Sequence, residues 1–302
     1  MTKVLVSLIN FNGDKDTRNC LDSLEKVKTD GFKLNVAVVD NASNENFQVE
    51  KKYQNFELKI IRSEKNLGFA GGQNLGIKWG FENRVDYFAV LNNDVILDEN
   101  FLVELLKTFT KKDCGLVSPK IYFAKGYEYH KDLRYEDKDL GKVIWYAGGI
   151  MDWKNVLASH KGVDEVDKGQ FEKIEKTDFA SGCCVMVKRE VFEKVGLFDE
   201  KYFLYYEDND LSQRAKRLGF AVYYQPGALL WHMNAGSTGG SGSALQDYYI
   251  TRNRLLFGFK YASLKTQLAL VRESVKLMLN GRTPQKKGAI DFYLRRFGKG
   301  SY

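Results

Sequence analysis

The stretch Leu34-Asn35-Val36-Ala37-Val38-Val39-Asp40-Asn41-Ala42-Ser43 is an apolar run that ends in a short polar cluster. A short apolar run bounded by turn-forming residues is typical of a strand buried on both faces of a sheet. Three other segments have the same form and end in polar or glycine-rich residues: 4–12, 58–72 and 87–94. Because segments with helical patterns separate these runs, they predict an α/β fold with a mostly parallel sheet and helices on both faces.

The predicted order of elements also locates a binding edge. Helices are expected from Asp16 or Thr17 onward and over 45–52, 70–81 and 98–110. Ligands of such sheets bind beyond the carboxyl ends of the strands. We therefore expect four polar clusters to share one edge: 10–12, 40–43, 62–72 and 92–94. Beyond about residue 120 the alternation stops, which predicts an inserted loop or hairpin that could vary with the substrate.

The composition is that of a large folded domain in a reducing compartment. The chain has 302 residues, of which 44% are hydrophobic, and its four cysteines form no CxxC pattern. Residues 1–3 run directly into the first strand, leaving no room for a signal segment, and no apolar run reaches the length of about 20 residues that crosses a bilayer. We therefore expect a cytoplasmic protein with reduced, mostly buried thiols.

Positive charge is concentrated at the C-terminal end. Residues 251–302 contain twelve Lys or Arg and two acidic residues, a net charge of +10 within a chain of net charge +7. We therefore divide the chain into a catalytic domain, 1–250, and a basic helical extension, 251–302. Apolar residues of the extension recur at intervals of four and three, as on one stripe of a helix: Leu264, Leu268, Val271, Val275 and Met278.

Two interpretations of this basic amphipathic helix stay open. It can pack on the catalytic domain, or it can dock on an anionic membrane surface as a peripheral anchor. The two can coexist on different faces of the helix. Nucleic acid is not expected as a partner, because an apolar stripe beside the basic residues favours the other two surfaces.

A glycine-rich loop leads into the third predicted helix of the chain. Asn66, Gly68, Gly71 and Gly72 lie in this loop, where glycines allow a phosphate to approach the backbone and helix amides can point at it. The spacing matches neither G-x-x-x-x-G-K-[ST] nor G-x-G-x-x-G, so neither an ATPase nor a dehydrogenase is supported. Tight packing of the helix on the sheet is the alternative role of these glycines.

Three further positions could bind a nucleotide or a metal ion. Asp40, at a strand end, could accept hydrogen bonds from a base or ribose, or could instead cap a helix. Asp94, after Asn92 and Asn93, suits a divalent ion that bridges two phosphates, or a simple turn. His232, one of three histidines, follows an apolar strand and could bind the metal or a diphosphate, or could be a buried core residue.

The segment with the most chemistry is Tyr202-Phe203-Leu204-Tyr205-Tyr206-Glu207-Asp208-Asn209-Asp210. Acidic residues in a first helical turn are favoured by the helix dipole, so part of the cluster can be structural. Five large apolar residues beside the carboxylates exclude water, however, and raise their pKa toward the range of a general base. The segment therefore predicts a catalytic base.

Taken in order, these motifs resemble glycosyltransferase family 2, in its rhamnosyltransferase-like branch. The resemblance covers about residues 3–258 and includes the following segments: 38–43, 66–74, 91–95, 181–184, 196–200, 203–211 and 231–232. It implies a GT-A fold and an inverting transfer. The implied donor is dTDP-L-rhamnose or, alternatively, a UDP-sugar carrying galactofuranose, a hexose or an N-acetylhexosamine. The implied acceptor is a saccharide or polyprenyl-linked saccharide of cell-surface polysaccharide synthesis.

The resemblance also implies roles for single residues. Asp208 is the base, with Glu207 as second choice. Asp94 is the metal-binding Asp of a DxD-type motif and binds Mg²⁺ or Mn²⁺ with the help of His232, although Asn92 stands where the first Asp of that motif would be. Asp40 reads the nucleotide and the 66–72 loop lines the donor pocket. The expected donor-binding set is Asn10, Asp40, Asn66, Gly68, Gly71, Gly72, Asn92 and Asn93. A nucleotide-sugar-binding scaffold without turnover is the rival interpretation.

Overall fold

The computed structural model describes residues 1–130, 134–233 and 242–302. Its strands are β1 (Thr2–Asn10), β2 (Phe32–Asp40), β3 (Glu57–Arg62), β4 (Tyr87–Leu91), β5 (Val95–Leu97), β6 (Cys114–Phe123), β7 (Ile144–Tyr146), β8 (Gly149–Asp152), β9 (Leu157–His160), β10 (Glu175–Lys176), β11 (Cys184–Lys188) and β12 (Ala221–His232). Its helices are α1 (Asp14–Leu24), α2 (Gly68–Glu82), α3 (Phe101–Thr108), α4 (Arg189–Val195), α5 (Glu207–Arg217), α6 (Ala244–Tyr261), α7 (Leu264–Asn280) and α8 (Thr283–Tyr293).

The main sheet has the strand order β10-β12-β6-β11-β4-β1-β2-β3. Strands β4, β1, β2 and β3 are parallel, as are β6 and β12, whereas β11 runs antiparallel to both of its neighbours. Asn10 pairs with Asp40, and Asp40 pairs with Arg62. The predicted mostly parallel sheet is therefore confirmed, and its polar strand ends lie at one edge.

Helices cover both faces of this sheet, and the buried side chains of β1 point alternately toward the two faces. Val4, Val6 and Leu8 join a core cluster with α1 and α3, whereas Leu5 joins a second cluster with α2, α4 and α5. Both faces of the strand are thus apolar, which explains the continuous apolar run in the sequence. All four cysteines are buried and free of disulfides, as expected.

The helix predicted over residues 45–52 is wrong, since the structure has an irregular loop there. The Asp40 carboxylate accepts hydrogen bonds from the backbone amides of Ser43 (3.0 Å) and Phe47 (2.9 Å), and Arg62 donates to the Ser43 carbonyl (2.8 Å). These bonds hold residues 43–47 against the ends of β2 and β3 in a non-helical path, and Phe47 joins the core. The other predicted helices are present with shifted ends.

The insertion expected after residue 120 contains the antiparallel hairpin of β8 and β9. Ile150 and Leu157 lie on the solvent side of this hairpin, whereas Met151 faces the core and is 5% exposed. The hairpin packs through Trp153, whose ring stacks on that of Phe257 in α6 at 5.8 Å between centroids. The insertion is therefore joined to the C-terminal helices.

The C-terminal region forms three helices, α6 to α8, rather than one. The boundary predicted between residues 250 and 251 falls inside α6, so no end of an element marks it. The predicted apolar stripe lies on α7, but the buried residues of α7 are Leu270 and Ser274. Most of the stripe is therefore not the face that packs on the protein. Within the described ranges, no helix is both long enough and apolar enough to cross a membrane.

Candidate active site

A cavity of about 1190 Å³ opens at the carboxyl ends of β1, β2 and β4. The hairpin of β8 and β9 and the start of α5 complete its walls. The predicted site residues that line it are Asn66, Gly68, Asn92, Asn93, Asp94, Glu207, Asp208 and His232. The structure thus brings together residues that are up to 166 positions apart in the sequence.

Two predicted donor-binding residues, Asn10 and Asp40, are buried behind the cavity wall. Asn10 donates to Asp14 and to Ser43, and its side-chain oxygen accepts from Thr17 at 2.9 Å. Asp40 is 1% exposed and is bonded to Arg62 at 2.5 Å. Both side chains are thus bonded to neighbouring loops and neither lines the cavity, whereas Asn41 does. Their role in donor binding stays a prediction.

The charge of Asp40 is stabilised by its neighbours. Burial alone would raise its pKa, but hydrogen bonds from Phe47, Ser43 and Arg62 hold the pKa below its usual value. A carboxylate that accepts several backbone bonds remains ionised at neutral pH. Asp40 therefore acts as a structural anion at the end of β2.

The glycines of the 66–72 loop serve close packing. A side chain at Gly68, whose φ is +70°, would collide with the Phe203 carbonyl, and a Cβ at Gly72 would lie 2.9 Å from Ile9. The amide of Phe69 donates to the Phe203 carbonyl at 2.7 Å. The Phe69 amide, one of the helix amides that could have bound a phosphate, is therefore already hydrogen-bonded within the protein. The packing alternative accounts for Gly71 and Gly72, neither of which lines the cavity.

Asp94 and His232 meet because β5 pairs with β12, which sets Val95 opposite His232. The His232 Nε2 lies 3.1 Å from Asp94 Oδ1, and both side chains line the cavity. Burial would lower the pKa of His232, but Cys183 and Asp94 raise it well above its usual value. Because its raised pKa favours the protonated form of His232, the pair offers a ligand in the cavity one carboxylate and one neighbouring cation.

This donor set fits a divalent ion that a substrate helps to bind. Among the residues with described positions, no group of three or more His, Cys, Asp or Glu side chains is arranged as a complete metal site. Mg²⁺ typically takes one or two protein carboxylates and completes its shell with phosphate oxygens and water. Asp94 therefore suits an ion that is held jointly with a diphosphate, and a protonated His232 beside it would attract the diphosphate charge.

The backbone before α5 is strained. Phe203, Tyr205 and Tyr206 have φ values of 63°, 68° and 73°, in the left-handed region that side chains with a Cβ rarely adopt. Strain of this kind persists only where surrounding contacts impose it. Its effect here is to turn the chain sharply, so that α5 begins with Glu207 and Asp208 at the cavity wall.

Asp208 is the acidic residue best placed for proton transfer. Its Oδ2 accepts from the Gly182 amide at 2.8 Å, and its Oδ1 accepts from the amide and side chain of Asn209 at 2.7 and 2.8 Å. Burial raises its pKa, and these hydrogen bonds oppose the rise. The carboxylate is thus oriented and made more basic than an exposed Asp.

The two acidic residues next to Asp208, Glu207 and Asp210, differ in their partners and in the direction of their pKa shifts. Glu207 is 5% exposed, its Oε2 has no hydrogen-bond partner in the described structure, and burial followed by repulsion from Asp208 raises its pKa well above the usual value. Asp210 is bonded to Arg214 (2.7 Å) and Lys260 (2.6 Å), which outweigh burial and lower its pKa. The raised pKa thus disfavours the ionised form of Glu207, whereas Asp210 is part of a buried ion-pair network.

Two residues that sequence reasoning gave no role hold the strained segment. Asn253 of α6 donates to the carbonyls of Tyr202, Leu204 and Tyr205 at 2.7 to 2.9 Å. Arg252, which is fully buried, donates to the Tyr202 carbonyl at 2.9 Å. In the sequence, an Arg followed by an Asn in a basic region looks like a pair of exposed residues. Only their burial in the structure shows that they support the strained segment.

Comparison with known proteins agrees with this geometry. A family model described as "Glycosyl transferase family 2" matches residues 6–196, more than half of the chain. The low-salt glycan biosynthesis hexosyltransferase Agl10 of Haloferax volcanii is 24% identical over 70% of this chain and 61% of its own length. The dTDP-rhamnosyl transferase RfbF of Shigella flexneri is 23% identical over 65% of this chain and 59% of its own length.

A third relative matches a shorter stretch more closely. The N-acetylglucosaminyl-diphospho-decaprenol L-rhamnosyltransferase of Mycobacterium tuberculosis is 42% identical over 22% of this chain and 24% of its own length. The chain therefore spans about three fifths or less of these relatives. Among solved structures, GalNAc-T7 with UDP, GalNAc and Mn²⁺ superposes with a TM-score of 0.62 at 15% identity, over 91% of this chain and 57% of that one. This likeness shows that the fold is of the GT-A type.

Proposed function

Since the chain belongs to glycosyltransferase family 2, we propose that it transfers a sugar from a nucleotide diphosphate to an acceptor hydroxyl, with inversion at the anomeric carbon. The observation that carries the proposal is the presence of an oriented, more basic carboxylate, Asp208, in the same cavity as the Asp94–His232 pair. The first group can accept a proton and the second can hold a diphosphate-bound ion. A scaffold without turnover would need neither arrangement.

The reaction is a single displacement. The acceptor oxygen forms a bond to the anomeric carbon while the bond from that carbon to the diphosphate oxygen breaks on the opposite face. The acceptor proton passes to Asp208, whose two oxygens are held by Gly182 and Asn209. Glu207 is less available as the base, because burial and the nearby charge of Asp208 disfavour its ionised form. No covalent enzyme intermediate is required.

Asp94 would hold Mg²⁺ or Mn²⁺, with His232 as its neighbour in the same site. When bound, a divalent ion would neutralise the negative charge that develops on the leaving diphosphate. The aromatic residues around the cavity exclude water, and Trp145 packs edge-on against the His232 ring at 4.8 Å. This contact fixes the orientation of the imidazole beside Asp94.

We favour L-rhamnose from dTDP-L-rhamnose as the donor and a polyprenyl-linked saccharide as the acceptor. Two of the relatives are named as rhamnosyltransferases, and one of them acts on a diphospho-decaprenol acceptor. A nucleotide hexose is the second candidate, because the hexosyltransferase relative matches the largest part of this chain among the three relatives above. With such an acceptor, the protein would work at the surface of the lipid bilayer that carries it.

A screen of nucleotide sugars by thermal unfolding tests the donor. With Mn²⁺ present, dTDP-L-rhamnose is expected to raise the melting temperature by several degrees, because saturating ligand adds about 2.7 kcal/mol at 100 times its Kd. EDTA is expected to remove most of the shift. A larger shift with UDP-galactose or UDP-glucose would replace the favoured donor, and no shift with any nucleotide sugar would contradict the function.

Asn253 is expected to be a positioning residue for Asp208. Asn253→Ala removes the donor that three carbonyls of the strained segment share, and a displacement of the base of about 1 Å can cost about 10² in rate. We expect kcat to fall by about that factor while KM for the donor changes less than threefold. Steady-state kinetics separate the two constants.

Arg254→Ala is the matched control for this prediction. Arg254 lies on the same helix but bonds to Asn155 and Glu273, away from residues 202–205. Its kcat is expected to stay within a few fold of the wild type. Equal losses in the two variants, in proportion to their melting temperatures, would show that Asn253 acts only on stability.

A further inference from the structure

Two neighbouring elements expose large apolar side chains, although their opposite sides pack on the protein. On α7, Leu264, Leu268, Val275 and Leu279 are 78%, 65%, 44% and 68% exposed. They are separated by four, seven and four positions, spacings that return to one side of an α-helix. Buried Leu270 and Ser274 lie on a different side. The helix therefore has a buried side and a separate, uncovered apolar stripe.

A line of basic residues borders this stripe. Lys265, Arg272 and Lys276 are exposed, are spaced seven and four positions apart, and form no ion pair with any residue that the structure describes. The acidic residue of α7, Glu273, is bonded to Arg254 at 2.6 Å. The side chains beside the stripe thus carry positive charge without local compensation.

The hairpin of β8 and β9 continues the apolar surface toward the cavity. Its exposed apolar residues are Ile150 (47%), Trp153 (36%) and Leu157 (45%). The Thr266 hydroxyl at the start of α7 donates to the Trp153 carbonyl at 3.4 Å, so the two elements touch. Leu157 also lines the cavity. One continuous surface therefore extends from α7 to the edge of the proposed active site.

We propose that this surface docks on an anionic lipid bilayer and brings the cavity to the membrane interface. We call it the docking face and define it by Ile150, Trp153, Leu157, Leu264, Lys265, Leu268, Arg272, Val275, Lys276 and Leu279. Apolar side chains enter the boundary between headgroups and acyl chains, and the bordering cations bind anionic headgroups. This charge complementarity favours a bilayer over a second copy of the chain, whose docking face would carry the same positive charge.

The inference deepens the proposed function, since a lipid-linked acceptor would be presented at this interface, but vesicle binding needs no transfer. The full chain is expected to sediment with vesicles of phosphatidylcholine and phosphatidylglycerol and less with pure phosphatidylcholine. The double substitution Leu264→Ser/Leu268→Ser is expected to lower the partition coefficient on the mixed vesicles by more than about tenfold. Leu218→Ser, which removes a leucine that is 55% exposed outside the docking face, is the matched control.

A second substitution separates charge from apolar burial. Arg272→Gln/Lys276→Gln is expected to weaken binding to the mixed vesicles by about fivefold for each charge at low salt, and to leave binding to neutral vesicles unchanged. All substituted residues are exposed, so unchanged melting temperatures are expected and should be measured.

Three results would overturn the docking inference: no binding of the wild type to mixed vesicles, an equal loss in Leu218→Ser, or a wild-type dimer that Leu264→Ser/Leu268→Ser converts to a monomer without vesicle binding. The rate of sugar transfer to a water-soluble acceptor tests the proposed function independently of vesicle binding. Activity without vesicle binding rejects only the docking face. Vesicle binding without transfer to any acceptor rejects only the proposed function.

Discussion

Asp208→Asn is expected to lower kcat for transfer by about 10²–10⁴, the range that a positioned base contributes. The amide has nearly the same shape, and its oxygen can still accept a hydrogen bond from Gly182 or Asn209, but it cannot take up the acceptor proton. Donor affinity should change less than threefold, because the base contacts the acceptor rather than the nucleotide. Steady-state rates and calorimetric donor binding measure the two effects.

Glu207→Gln is the matched control for Asp208→Asn. Burial and the charge of Asp208 disfavour the ionised form of Glu207, so a neutral amide of similar size should be tolerated there. We expect kcat within a few fold of the wild type. Full activity in Asp208→Asn together with loss in Glu207→Gln would move the base to Glu207, the second choice from the sequence.

The pH dependence of the transfer rate tests the role of Asp208 independently of substitutions. Because burial raises its pKa above 3.8, the ionised, active form is lost as pH falls through a value higher than that of an exposed Asp. The same shift means that ionising Asp208 disfavours the folded state, a cost that begins above pH 3.8 and is complete above the raised pKa. The kcat/KM of the wild type is expected to fall with decreasing pH at a midpoint above 3.8, and a profile without this fall would contradict the assignment.

Asp94→Asn is expected to reduce kcat/KM by about 10²–10³, comparable to the loss of one electrostatic contact to the leaving group. The reason is weaker binding of the divalent ion that Asp94 and His232 would hold with the diphosphate. Donor affinity of the wild type should fall when EDTA is added. Affinity of the variant should already be low and should change little with EDTA.

Asp16→Asn is the control for charge near Asp94. Asp16 also lines the cavity, and burial followed by repulsion from Asp94 raises its pKa, so this variant removes a neighbouring carboxyl without altering the His232 contact. A small effect on EDTA sensitivity is expected. If Asp16→Asn abolishes the EDTA response and Asp94→Asn preserves it, the metal is held by Asp16 instead.

The sequence alone predicted the fold class and the position of the binding edge. Strand periodicity is a local property, and the carboxyl ends of parallel strands necessarily meet, so the order of strands was enough to predict that Asn66, Asn92 and Asp94 line one cavity. Loop geometry was not predictable in this way. The loop that replaces the helix predicted at 45–52 is held by hydrogen bonds that the Asp40 carboxylate accepts from Ser43 and Phe47, and no local pattern predicts these bonds.

What each site residue does depended on burial, and burial is a property of the assembled molecule. Sequence could place Glu207, Asp208 and Asp210 together, but only their surroundings distinguish them. Burial disfavours ionised Glu207, backbone amides orient Asp208, and two cations pair with Asp210. Tertiary structure likewise assigned Asn10 and Asp40 to loop support and brought Asn253 to the strained segment. The apolar stripe of α7 was visible in the sequence, but which side of the helix is covered depends on the elements that pack against it.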